Sequence, residues 1–208
     1  MRKIMFNDQY GLTAATLRGD KTMTRRIVKC PKKYQGVEDI ELEFHRRWGQ
    51  DIFYDCVVVD ANGHELGQLV LPYEVGDVVA IAQSYSTLLE EGILKDDKKG
   101  TLSKSNGYNN KMFVKANLMP HRIRITDLWF ERLQDISDED CLKEGVIKGD
   151  FKDFPQQMYF PYKGCKDTEV TWTPQGAFHV LIDKVSGRGT WESDPWVIAY
   201  TYELVKED

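Results

Sequence analysis

Apolar and polar positions change period several times along this chain, and each change predicts an element. Residues 7–19, NDQYGLTAATLRG, predict a short helix that Asn7 or Asp8 caps and Gly19 ends in a left-handed turn, with Tyr10, Ala14 and Leu17 on one face. The pattern then becomes TMTRRIV, rich in threonine and β-branched residues, which predicts a strand with Thr22, Thr24 and Arg26 on one side. Lys21 falls in the turn between them. IFYDCVVVD and ELGQLVL flank Ala61-Asn62-Gly63-His64, a hairpin signal, and PYEVGDVVAIAQ and HRIRITDLWFERL supply further strands. SDEDCLKEG predicts a second short helix: Ser137 caps it, Asp140 closes a capping box, Ile136 staples onto Cys141 and Gly145 ends it. TPQGAFHVLIDKVSG is the strongest helical signal, with Thr173 as cap, Pro174 in the first turn and Phe178, Leu181, Ile182 and Val185 at helical spacing. PWVIAYTYEL closes the pattern as a strand with Trp196, Ile198, Tyr200 and Tyr202 on one face.

Residues 86–118 break the periodicity. KDDKKGTLSKSNGYNNK within them is polar and rich in Gly and Asn, so a mobile or partner-contacting loop is expected inside a single domain spanning residues 1–208. Many short strands with three helices predict a mixed α+β fold, built as a small, mostly antiparallel barrel with helices packed outside and this long loop inserted. At 208 residues, 41% of them apolar, the chain is long enough for one core with insertions. No run approaches the ~20 apolar residues that cross a bilayer. The N-terminus lacks the apolar stretch of a signal peptide, so a cytoplasmic protein without a membrane partner is expected. Cys30, Cys56, Cys141 and Cys165 are scattered, none at zinc-ligand spacing, which predicts reduced thiols and no metal or other cofactor.

Charge adds a second signal. Residues 1–33 carry nine Lys or Arg against two Asp, a balance of +7, whereas the other 175 residues balance at −12. Clustered cations on an acidic body suit contact with phosphates; the same lysines also suit a solvated loop. GDKTMTRR concentrates three of these cations, Lys21, Arg25 and Arg26, after Gly19. On residue type alone Thr24 is a strand former, and Lys21 with Glu144 is an ion pair tying a turn to a helix. Glu144 sits in the last turn of its helix, where the macrodipole disfavours a carboxylate, which points to a cation partner. Arg122 and Arg124 either extend a phosphate-contacting face or blunt a strand edge. Trp191, after a glycine-rich turn, is the better candidate for stacking on a base, and Trp196 for structure.

Taken in order, G-D-K-T-M-T-R-R, Tyr73-Glu74-Val75-Gly76-Asp77, MPHRIRITDL, RLQDISDEDCLKEG and WESDPWVIAYTYEL resemble the ASCH domain, the activating-signal-cointegrator homology family, and most closely its longer bacterial and prophage members. The first motif fits G-x-K-x-x-T-x-R at Gly19, Lys21, Thr24 and Arg26, and the resemblance covers about half the chain. It implies a PUA-like barrel that binds RNA or a modified nucleoside in a cleft beside the barrel. Some members are hydrolases: one group removes acetyl from N4-acetylcytidine without a metal, and a ribonuclease activity belongs to another. The amidohydrolase Lys, Thr and Glu correspond to Lys21, Thr24 and Glu144, with Gly19, Arg25, Arg26, Arg122, Arg124 and Trp191 as binding candidates around them. One departure stands out: longer members often read V-G-D-x-L-W-V-R-E-T-W, whereas this chain reads VGDVVAIAQSY, with Ala82 and Gln83 in place of the Arg-Glu pair and Tyr85 in place of Trp.

For hydrolysis, Thr24 would need its proton removed by a neutral Lys21, with Glu144 holding the lysine or relaying the proton and Arg26 stabilising the oxyanion. For binding alone the same residues supply hydrogen bonds and charge. The sequence therefore predicts a nucleoside- or RNA-binding cleft first and a Lys/Thr/Glu hydrolase second.

Overall fold

The computed structural model describes residues 1–46, 52–149 and 156–205. In chain order its first half contains β1 (Lys3–Ile4), α1 (Leu12–Arg18), β2 (Met23–Ile27), β3 (Ile40–Arg46), β4 (Phe53–Asp60), β5 (Glu65–Gln68), β6 (Val78–Ile81) and α2 (Tyr85–Glu90). There follow β7 (Arg122–Arg132), α3 (Asp138–Lys143), β8 (Ile147–Lys148), β9 (Tyr159–Phe160), α4 (Pro174–Ser186) and β10 (Trp196–Leu204). The fold is mixed α+β with a sheet-dominated core.

Strand β7 organises the eight-stranded sheet. On one side it pairs antiparallel with β10 from Trp196↔Arg132 to Leu204↔Ile123, and β10 pairs antiparallel with β2. On the other side two neighbours share its length: β6 pairs near its start, and β4 touches it at Phe53↔Phe130. Strand β1 lies parallel to β6, while β3 and β5 flank β4, so the sheet is mixed. The expected closed barrel does not form: no pairing among the described residues joins β2 to β1, β3 or β5. The backbone amide of Thr22, just before β2, donates instead to the carbonyl of Lys143 at the end of α3 (2.9 Å), so a helix meets the chain at this sheet edge where a closing strand would lie.

The alternation of β10 divides the core. Ile198, Tyr200 and Tyr202 face the main cluster with Ile4, Phe6, Ile123, Ile125 and Phe130, and Trp196 packs at its margin. Val197 faces the opposite side, where Ile136 and Cys141 join Phe178 and Ile182 of α4. Each such side chain contributes roughly 1.5–3 kcal/mol by leaving water, so α3 and α4 are held to the sheet mainly by burial. Their caps are those expected: Ser137 Oγ accepts from the Asp140 amide and Thr173 Oγ1 from the Gly176 amide (both 3.1 Å).

Three local expectations differ from the structure. Helix α1 begins at Leu12, and neither Asn7 nor Asp8 caps it; Asn7 Oδ1 takes the Gln9 amide and Asp8 takes the Thr13 hydroxyl. The later start rotates the buried face to Leu12, Ala15 and Thr16, leaving Ala14 exposed and Tyr10 packed on Tyr162. Asp140 closes no capping box, because its carboxylate turns to Arg25 and Lys143. Residues 86–118 are not a structureless loop. They continue α2, add two short 3-10 turns, and build a third cluster from Ala80, Ala82, Tyr85, Leu88, Val114 and Met119. The hairpin between β4 and β5 forms as expected, its turn held by Asp60 Oδ1 on the Asn62 and His64 amides (2.8 and 2.9 Å).

Candidate functional site

The site begins where α1 stops. Gly19 takes φ 82°, the left-handed conformation that ends the helix at little steric cost, and the amides of Asp20 and Lys21 return to the Ala15 carbonyl (2.9 and 3.2 Å). This reversal drives Lys21 inward to 2% exposure. Its ammonium donates to Met23 O and Glu144 O, both 2.7 Å away, and to Glu144 Oε2 at 2.6 Å. All three N–H bonds are thereby used. Glu144, the C-cap of α3, is itself buried at 5% exposure.

Arg25 is the second cation on Glu144. Strand alternation puts it on the same side as Met23, opposite Thr24 and Arg26, and its side chain is fully covered. Nε donates to Glu131 (2.6 Å), Nη1 to Glu144 (3.2 Å) and Nη2 to Asp140 (3.3 Å). Burial opposes its charge, but Glu144, Glu131 and Asp140 outweigh that and raise its pKa. Burial alone would also raise the Glu144 carboxyl; Lys21 and Arg25 reverse the direction and hold it below the ordinary glutamate value. For Lys21, burial wins: its pKa lies below the ordinary lysine value, with Glu144 opposing and Arg26 and Arg25 adding to the fall.

Beside this network opens a pocket of about 310 Å³ at the free edge of β2. Lys21, Thr24, Arg25, Arg26 and Glu144 line its polar side. Phe6 and, from α4, Phe178, Leu181 and Val185 line its apolar side. The Thr24 hydroxyl makes no hydrogen bond to any described residue. Arg26 spends Nη2 on the Met5 carbonyl (2.7 Å) and lies over the Phe6 ring (5.9 Å), while its Nε is buried without an acceptor. Lys29 joins the lining from the strand's exposed end. The structure thus brings Lys21, Thr24, Glu144 and Arg26 to one cavity.

Gly19 ends α1 and does not line the pocket. Arg25, expected to contact ligand, borders the pocket, but its side chain is wholly covered and held by three carboxylates. The remaining candidates lie elsewhere. Arg122 and Arg124 alternate with the buried Ile123 and Ile125 on β7, away from the pocket, and Arg124 reaches Glu203 (3.7 Å). Trp191 stacks on His179 (5.5 Å, 17°) and meets Phe178 edge-on (6.2 Å, 78°), so one indole face is already covered. Nearby, His179, Asp183 and Glu192 are a group whose potential metal-ligand atoms lie within 4.8 Å of one another. Asp183 there serves a loop, accepting the Gly189 and Trp191 amides (both 2.9 Å).

Two contributors carry no sequence motif. Glu131 and Asp140 complete the shell of Arg25 from β7 and α3, a meeting that only the tertiary fold produces. Much of the basic N-terminal run is also paired, although most of its cations stay exposed. Arg2 pairs with Asp77, Arg18 with Asp20 and Lys33 with Glu38, and Lys3 donates to the Met112 and Val114 carbonyls. Among the described residues, Lys29 and Lys32 of that run have no such partner. Comparison with profiles of known families, with curated proteins and with solved structures gave no match.

Proposed function

We propose that the protein binds a modified nucleoside, free or presented on RNA, in the pocket at the edge of β2. One observation carries this reading: a polar wall with an unbonded Thr24 hydroxyl and the Arg26 side chain faces an apolar wall of Phe6, Phe178, Leu181 and Val185. A nucleobase has that same division, with apolar faces and an edge of donors and acceptors. The cavity lies near the lower end of the ~300–1,000 Å³ range of small-molecule sites, a size for one base with its sugar rather than for a folded strand. The resemblance of GDKTMTRR and the later motifs to the ASCH domain, with its PUA-like fold, supports the same choice.

The Lys21–Glu144 contact beside Thr24 favours a second reading, hydrolysis of an acylated base. Thr24 Oγ would attack the acyl carbonyl carbon, its proton passing to a neutral Lys21. Collapse of the tetrahedral intermediate would break the C–N bond as the amine leaves with that proton, and water would then release the acyl group from Thr24. Burial moves Lys21 in the required direction. However, its three N–H bonds are all committed, an arrangement suited to a cation that holds its proton and positions Glu144. Binding therefore comes first.

Calorimetric titration with cytidine and N4-acetylcytidine, paired with an acetate-release assay, tests the proposal. The expected result is saturable binding without turnover, weakened in Thr24→Val by about 1–1.5 kcal/mol for a lost hydrogen bond. Absence of binding by either nucleoside would remove these ligands from the proposal. Turnover abolished in Thr24→Val and Lys21→Met, with binding retained, would install the second reading.

A further inference from the structure

His179 and Asp183 stand one helical turn apart on α4, so their side chains share a face. Beyond the helix, Gly187 and Gly189 take positive φ (114° and 85°) and turn the chain back, where Asp183 accepts the Gly189 and Trp191 amides (both 2.9 Å). This return brings Glu192 to the same face. His179 Nε2 lies 3.1 Å from Glu192 Oε1 and 3.9 Å from Asp183 Oδ2, and the ligand atoms of all three residues fall within 4.8 Å of one another. Their side chains are reachable from solvent, at 37%, 17% and 62% exposure for His179, Asp183 and Glu192. A neutral imidazole has one N–H, which serves one carboxylate, whereas Nε2 faces two. No side-chain hydrogen bond joins His179 to Glu192 despite their distance, so the two meet side-on, as ligands of one ion do. Burial opposes the charge of Asp183, but the Trp191 and Gly189 amides outweigh it and hold the carboxyl below its ordinary value. Each of its oxygens keeps a lone pair after those bonds. Trp191, stacked on the imidazole, restricts the ring's rotation.

We infer that His179 Nε2, Asp183 Oδ2 and Glu192 Oε1 bind a divalent transition-metal ion, with Zn²⁺ the best match, and that the ion ties α4 to the loop before β10. Neighbouring ligands of a tetrahedral zinc ion, at bonds of about 2.0–2.2 Å, stand roughly 3.3 Å apart, a spacing the two measured contacts straddle. One imidazole with two carboxylates suits zinc better than magnesium or calcium, which take oxygen ligands, and the two negative charges balance the ion. Water would complete the shell. The inference is independent of the nucleoside pocket, because none of the three residues lines it.

The test is a calorimetric titration of the whole, chelator-treated protein with Zn²⁺, read beside the imidazole ¹⁵N resonances of its four histidines. Saturable one-to-one binding is expected, with the Nε2 resonance of His179 moving and those of His45, His64 and His121 unchanged. Glu192→Gln, on an exposed residue that leaves folding intact, should weaken binding about tenfold, and His179→Gln about a hundredfold, while His64→Gln changes nothing. Zn²⁺ should raise the melting temperature of the wild type, and raise it less in Glu192→Gln at the same concentration. Absence of saturable binding would overturn the inference. So would binding of unchanged affinity in both Glu192→Gln and His179→Gln, which would place the ion elsewhere. Displacement of Zn²⁺ by an equal concentration of Mg²⁺ would also overturn it, since an imidazole ligand disfavours magnesium.

Discussion

Two cations and three carboxylates meet around Glu144 and Arg25 in a region the fold has taken out of water, and their mutual satisfaction decides what substitution does there. Glu144→Gln leaves Lys21 and Arg25 with less negative charge against them, and should cost about 3–5 kcal/mol of unfolding free energy in urea melts. The pH dependence follows the same residue. Because the folded Glu144 carboxyl sits below its ordinary value, its contribution is present above the unfolded value of about 4.3 and is lost as pH falls through the lower folded one. Melts at falling pH should therefore show a loss of stability in the wild type that is smaller in Glu144→Gln; equal losses would assign the acid sensitivity elsewhere. At this scale the sequence was informative about Lys21 and Thr24, whose spacing fits G-x-K-x-x-T-x-R, and about Glu144, which the resemblance singled out. It did not separate Arg25 from Arg26. The pair Arg25-Arg26 reads as one basic patch, but the two-residue period of β2 sends Arg26 to the ligand side and Arg25 into the carboxylates.

Among the elements, those with strong periodicity and caps were legible: α3, α4, β7 and β10 lie where their patterns predict. Strand β3 also carried a signal, since Ile40, Leu42 and Phe44 alternate with polar residues, but charged residues in IELEFHR mask it. The cluster of residues 86–118 was illegible for a different reason. Its apolar residues follow no single period because they come from one short helix, two 3-10 turns and irregular chain. Tertiary contacts hold it: Tyr85 accepts the Lys115 amide (2.7 Å), and Lys3 and Lys111 tie the segment to the N-terminal residues. Gly107 lies so close to Tyr85 that a Cβ would sit 2.5 Å from the ring. Gly107→Ala should therefore loosen this segment, seen as faster proteolysis within residues 95–111, while the β10 amides keep their hydrogen-exchange protection. Unchanged proteolysis would mean that the ring moves aside without cost.

For the whole molecule, the expected closed barrel gives way to an open mixed sheet, and the basic run divides: Lys21 and Arg25 are buried among carboxylates, while Arg2, Arg18, Lys29, Lys32 and Lys33 stay exposed. Charge counting along a sequence cannot separate cations that meet solvent from those bonded inside the protein. If RNA binds through the exposed Lys29, Lys32 and Lys33, affinity should fall with salt at a slope of about −2, and replacing all three by Gln should flatten it. A steep slope that survives the triple substitution would place the phosphate contacts on another surface. The central claim is that the pocket between β2 and α4 receives the base, and residue-resolved NMR during a cytidine and N4-acetylcytidine titration tests it most directly. The account predicts saturating shifts confined to Phe6, Thr24, Arg26, Leu181 and Val185 and their neighbours, with β3, β4 and β5 silent. Shifts centred on β7 around Arg122 and Arg124, or none at the pocket residues at saturation, would contradict it.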